Sequence, residues 1–193
     1  MKIITISREY GAYGNTIGKA VAAKLGIEIF DKDIVRSAAK GIGLEEDIVA
    51  EKEEAIFKSD SLLRSILPVS YSQLDAIYDI EKEAILGFAA KGPCVVVGRC
   101  ADVILREAGF DTLNVFLYAS TEVRAKRVGE IINSDDPVAI NKVIKTMDNA
   151  RKSYNEYYTD KKWGDYSNFD LMLNVGTVGI DNCVDVICSA ACK

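Results

Sequence analysis

The chain has no histidine among its 193 residues. That absence removes Ser-His and Cys-His nucleophile pairs, imidazole general bases and every histidine-ligated metal centre, so any chemistry falls to Asp, Glu, Lys, Arg, Tyr or backbone groups. Long apolar runs are missing too. No stretch approaches the roughly 18 residues that a membrane span needs, and the N-terminus opens on a strand pattern rather than a secretory signal, so a cytoplasmic protein with no membrane partner is expected. Basic charge is in deficit: 24 Lys and Arg against 29 Asp and Glu leave a net charge of −5. This argues against a nucleic-acid partner, because such proteins present a basic surface. The cysteines (Cys94, Cys100, Cys183, Cys188 and Cys192) are odd in number and form no CxxC pair, and they read as buried, reduced thiols rather than a metal site or a disulfide framework.

What is present is an alternation of strand and helix patterns. Runs rich in β-branched residues, "KIITI" (2–6), "IEIF" (27–30), "CVVVG" (94–98), "LNVFLY" (113–118) and "LMLNV" (171–175), stand between longer stretches of helical periodicity. Near-continuous apolar strands separated by helices predict a doubly wound α/β core, a parallel sheet covered on both faces. Thr16 to Leu25 carries an apolar stripe ended by Gly26, and Asp33 to Lys40 reads as a second helix stopped by "GIG". From Leu44 to Ala90 there is no strand pattern; Leu74, Ile77, Tyr78, Ile85 and Phe88 fall at helical spacing and read as core contacts of a helical excursion between the second and third strands. Two further helices are expected from Thr121 to Val128 and from about Val138 to Tyr158, the latter opened by Pro137 behind the capping candidates Asp135 and Asp136.

The chemistry concentrates at strand ends. "SREYGAYGNT" (7–16) follows the first strand and runs into a helix, with Gly11 and Gly14 placed to turn the chain and let the amides of Gly11, Ala12, Tyr13, Gly14, Asn15 and Thr16 converge on an anion. The helix end adds its positive dipole, and the Thr16 hydroxyl could meet a magnesium ion. A loop of the GxxxxGK[ST] type has a lysine here; this one has Gly14 instead. Arg8, before the glycines, and Lys19, more than a turn inside the helix, could each replace its charge. Arg8 is favoured, because Lys19 emerges on the far side of the helix.

After the second strand, "FDKDIVR" places Asp31 at a strand's carboxyl end, where open α/β sheets bind ligands, and Arg36 on the following helix. "VVVGRCAD" places Arg99 beyond Gly98 at the edge of the same crevice, suited to bidentate phosphate binding, with Asp102 placed to orient it or to contact a base or sugar. Arg124, Arg127 and Arg151 lie on the two later helices, and arginines on a closing helical pair supply what phosphoryl transfer needs: charge at the transferring group and exclusion of water. Tyr154, Tyr157, Tyr158 and Trp163 read as packing.

Taken in order and spacing, "ITISREYGAYGNTIGKAVAAKLG", "FDKDIV", "VVVGRCADVIL" and "LNVFLYASTEVRAKRV" resemble the cytidylate-kinase-like family, relatives of bacterial cytidylate kinase among the P-loop nucleoside monophosphate kinases. The resemblance covers nearly the whole chain. It implies a P-loop NTPase-type three-layer α/β/α fold in a single domain (1–193), with a five-stranded parallel sheet, a helical monophosphate-binding insert at about 41–91 and a helical lid at about 121–160. It further implies ATP-dependent, Mg²⁺-assisted transfer to a nucleoside monophosphate by a monomer or homodimer. Carried over, Gly11 to Thr16 would hold the donor phosphates, Thr16 the metal, Asp31, Arg36, Arg99 and Asp102 the acceptor, and Arg124, Arg127 and Arg151 the lid charges. Against cytidylate kinases themselves, Gly14 takes the loop lysine's position, Arg8 and Tyr13 take those of the first and last loop glycines, and Cys100 takes that of the aspartate after Gly-Arg. The alternative reading is a catalytically silent nucleotide- or anion-binding protein with a degenerate loop.

Overall fold

A computed structural model describes residues 1–31 and 71–193. The predicted helix at 33–40, Arg36 and the first part of the helical excursion lie outside the described residues. The strands are β1 (Ile3–Arg8), β2 (Glu28–Phe30), β3 (Cys94–Val97), β4 (Thr112–Tyr118) and β5 (Leu171–Asn174), in one five-stranded sheet of order β2-β3-β1-β4-β5. All four pairings are parallel, as the near-continuous apolar runs predict.

Alternation along each strand builds two cores. Ile4 and Ile6 of β1 and Val95 and Val97 of β3 face one side, where they meet Ile17 and Val21 of α1 (Gly14–Leu25). Ile3, Cys94 and Val96 face the other, against Ile85 of α2 (Tyr71–Ala89) and Ile104 and Leu105 of α3 (Ala101–Glu107). The result is the expected three-layer α/β/α sandwich. Two longer helices follow β4: α4 (Thr121–Ile132), capped by Ser120, and α5 (Pro137–Thr159), capped by Asp136 with Pro137 in its first turn. They pair into an arm with its own small core of Val128, Ile140 and Ile144, onto which Tyr10 of the β1–α1 loop packs. After β5 come the short α6 (Val175–Val178) and α7 (Ile180–Ala191), which covers α1 and has no counterpart among the elements predicted from sequence. Four cysteines are buried, as expected, but Cys192 is exposed, because α7 ends at Ala191 just before it.

Candidate active site

The strand order fixes where a ligand can sit. From β1 the chain goes to β2 and back to β3 on one flank, then crosses to β4 on the other, so the sheet changes winding direction beside β1. Open parallel sheets bind ligands outside the strand carboxyl ends at such a point. Here those ends are Arg8, Gly98 and Ala119. They are stitched together by the Glu9 amide donating to the Leu117 carbonyl and the Gly98 amide donating to that of Ile6, both at 3.0 Å.

Arg8 lies where a GxxxxGK[ST] loop would carry its lysine. A Cβ built on Gly14 would lie 2.6 Å from Arg8 Cγ and 3.2 Å from Cδ, so the arginine stem runs directly across the lysine's position. A Cβ on Gly98 would overlap Arg8 Nη1, so the guanidinium ends against the carboxyl end of β3. Both glycines leave room for one side chain. Burial, then repulsion from Arg151 and Arg99, holds the Arg8 guanidinium well below its ordinary pKa, and Asp31 acts in the opposite direction. Arg151 is likewise lowered by burial. Cations gathered against one another in a crevice gain by receiving an anion.

The loop that follows leaves the first turn of α1 without a side-chain cap. Tyr13 adopts a left-handed conformation (φ 58°) as N-cap of α1 and offers no side-chain hydrogen bond to the first-turn amides. Asn15 and Thr16 are exposed in that first turn. Gly11 (φ +84°) has a second requirement unrelated to anions: a Cβ there would meet the Arg124 carbonyl and Val128 Cγ2, each at 3.0 Å.

Beyond β3, Gly98, Arg99 and Cys100 are successive left-handed residues (φ 81°, 59° and 55°), the kind of backbone strain that collects at functional sites. Arg99 Nη2 lies 3.0 Å from Glu81 Oε1, and the guanidinium sits 5.1 Å over the Tyr154 ring. Tyr154 in turn donates its hydroxyl to Glu81 Oε2 at 2.9 Å. Burial first and Glu81 second push the Tyr154 phenol far above its usual pKa. It is therefore Glu81, not Asp102, that orients Arg99. Asp102 is buried at the start of α3, with no hydrogen-bond partner for Oδ1 among the described residues and a carboxyl pKa raised by burial. Cys100 accepts from Asn155 Nδ2 at 3.6 Å, and burial pushes its thiol pKa upward.

The arm arginines are engaged. Arg124 pairs with Asp148 at 2.5 Å and lies 3.4 Å from Glu9, while Arg151 donates to the Arg8 carbonyl at 2.9 Å. Arg127 pairs with Glu130 at 3.0 Å and lies 5.3 Å over the Tyr13 ring. The structure thus brings Arg99, Arg151 and Asp31 within electrostatic reach of Arg8, and turns Arg124 and Arg127 to different partners although they share a helix. Glu81, Glu9 and Asp148 were missed from sequence. Glu81 had a signal: it falls on the apolar stripe of its helix between Tyr78 and Ile85, where a carboxylate must be buried and paired.

A five-stranded parallel sheet covered on both faces, with a glycine loop after its central strand and arginines gathered at the switch point, defines a three-layer α/β/α protein of the P-loop kinase type. The chain belongs to the cytidylate kinase-like family, whose model matches residues 3–177. It is 26% identical over 190 residues to the cytidylate kinase of Methanocaldococcus jannaschii, covering 97% of this chain and 96% of that one. Among solved structures it is similar to an uncharacterized protein from Eubacterium ventriosum (TM-score 0.78, 25% identity, 100% of this chain and 99% of the other). The APS kinase of Mycobacterium tuberculosis shares the fold alone (TM-score 0.56, 15% identity, 100% and 98% covered).

Proposed function

We propose that the chain is an ATP-dependent phosphotransferase acting on a nucleoside monophosphate or a related small anionic acceptor. The observation that carries this reading is Arg8, laid across Gly14 with its head beside Arg99 and Arg151. The loop has lost its lysine but not its cation. On this reading Gly11 to Thr16 take the donor phosphates, while Asp31, Arg36, Arg99 and Asp102 face the acceptor. Arg8, Arg124, Arg127 and Arg151 provide positive charge and hold the loop in shape. A magnesium nucleotide fits the residues present: the uncapped first turn of α1 offers amides, and the exposed Thr16 offers a hard oxygen of the kind this ion prefers beside phosphate oxygens. When bound, the metal neutralises charge on the phosphates. Arg8 holds the transferring group between the loop and β3, and Arg99, fixed by Glu81 and Tyr154, orients the acceptor. No covalent intermediate is required.

A second reading, nucleotide binding without turnover, draws support from the engagement of Arg124 with Asp148 and Glu9. A coupled assay with ATP, Mg²⁺ and a panel of monophosphates separates the two. Turnover that falls about 10²–10³-fold in Arg8→Ala, as expected for loss of one electrostatic stabiliser, supports the phosphotransferase. Nucleotide binding with no ADP formed above background for any acceptor supports the silent protein.

A further inference from the structure

We propose that Asp148 is a positioning residue for the anion loop: with Arg124 and Glu9 it clasps the α4–α5 arm to residues 8–11, so that loop and arm form one rigid piece. The inference rests on the functional reading above insofar as the loop is taken to bind phosphate. Its structural part stands on contacts that owe nothing to that reading.

The peptide groups entering the loop are held mainly by the arm. Asp148 Oδ1 accepts the Tyr10 amide at 2.7 Å while its Oδ2 accepts Arg124 Nη1 at 2.5 Å. Arg124 Nη1 also reaches the Tyr10 carbonyl at 3.5 Å, so both polar groups of Tyr10 answer to the same ion pair. Glu9 Oε2 lies 3.4 Å from Arg124 Nε and accepts the Ala119 amide at 3.2 Å, which ties the clasp to the end of β4. Arg151, one helical turn from Asp148, donates to the Arg8 carbonyl at 2.9 Å and covers the Tyr10 ring at 5.2 Å. Tyr10 packs on the arm core, and Gly11 lies against the Arg124 backbone with no space for a Cβ.

A carboxylate at 148 is the only group that satisfies this geometry. One oxygen must accept a peptide N–H and the other a guanidinium, so an amide can serve the first but presents an N–H to the second. The Tyr10 peptide immediately precedes the Gly11–Gly14 turn, whose amides must point at one place to hold an anion. Releasing Tyr10 lets that plane rotate, and displacements of about 1 Å at such a site cost on the order of 10²-fold in rate. The arm therefore acts as the scaffold of the loop. It cannot swing as a separate lid without carrying the loop with it.

The test uses the full chain with Asp148→Ala and Asp148→Asn, comparing hydrogen exchange at the Tyr10 amide, affinity for inorganic pyrophosphate and urea stability. Asp148→Ala should speed Tyr10 exchange about tenfold to a hundredfold, the loss expected for a hydrogen bond to a charged group, while Ile4 and Ile6 in β1 exchange as before. Pyrophosphate affinity should fall about tenfold in the folded protein, and Asp148→Asn, which keeps an acceptor for Tyr10, should recover much of the protection but less of the affinity. Unchanged Tyr10 exchange overturns the clasp. Exchange and affinity that shift only in proportion to global stability reduce Asp148 to a structural residue and overturn its positioning role. If the wild-type protein binds no pyrophosphate, the functional reading fails, and Tyr10 exchange still decides whether loop and arm are one piece.

Discussion

Replacing Gly14 by alanine tests why the loop has no lysine. Gly14 opens α1 with an ordinary helical backbone, so in open space alanine would stabilise by about 0.5–1 kcal/mol through reduced chain entropy. The space is not open. The new Cβ would stand 2.6 Å from Arg8 Cγ and 3.2 Å from its Cβ and Cδ, and the stem cannot move aside cheaply because β1 anchors one end and the crevice at Gly98 holds the other. Overpacking of this kind costs about 1–3 kcal/mol, so Gly14→Ala alone should be neutral to destabilising by roughly 2.5 kcal/mol. With Arg8→Ala in place the crowding is gone beyond Arg8 Cβ, and the same change should stabilise. The two positions should therefore couple by about 1–3 kcal/mol in a double-mutant cycle read by urea unfolding with matched slopes. Additivity within about 0.5 kcal/mol would refute the claim that Gly14 exists to let Arg8 through. The same logic predicts that Gly14→Lys is tolerated only together with Arg8→Gly, which clears the path that the new side chain needs.

The buried carboxyl of Asp102 and the thiols give two further outcomes. Burial raises the Asp102 pKa, so the native state holds this proton more tightly than the unfolded chain. Its contribution to stability must fall as pH rises from the ordinary carboxyl range, near about 4, through the folded value. Stability of wild type relative to Asp102→Asn, followed by urea unfolding across that range, should decline with rising pH; a relative gain would show the carboxylate to be paired. For the thiols, Ellman's reagent at mildly alkaline pH should find one fast group, exposed Cys192, since Cys94, Cys100, Cys183 and Cys188 are buried and burial raises their pKa, that of Cys94 to about 11. Denaturant should release all 5, and Cys192→Ser should abolish the fast phase.

The sheet was legible because its three central strands are short, rich in β-branched residues and buried on both faces; β1, β3 and β4 fall within two residues of the runs that announced them. The arm was legible through Asp136, Pro137 and helical spacing. Which way its arginines turn was not. Arg124 and Arg127 share a helical face in sequence, yet one enters a half-buried pair with Asp148 and the other reaches Glu130, because the loop packs against only part of that face. Tyr154 reads as packing in sequence and does pack, edge-on to Tyr78 and tilted against Tyr158, but its hydroxyl is also what completes the Glu81–Arg99 pair. A contact between residues 81 and 154 leaves no local pattern. Arg8, by contrast, was legible from a deficit: a phosphate loop lacking its lysine directs attention to the next cation along the chain.

Two of the departures from the cytidylate kinase pattern, at Gly14 and at Cys100, bear on charge. Arg8 runs across Gly14 and ends against Gly98, so both places its side chain crosses are glycine. The carboxylate beside Gly-Arg is absent because Cys100 stands there, accepting a hydrogen bond from Asn155, while Glu81 reaches in from α2 and gives Arg99 its carboxylate. Arg99 thus draws its carboxylate from α2 rather than from its own loop. What the rearrangement does change is direction. A carboxylate committed to Arg99 and Tyr154 no longer faces a base, so on the phosphotransferase reading the acceptor is selected by its anionic group more than by an exocyclic amine.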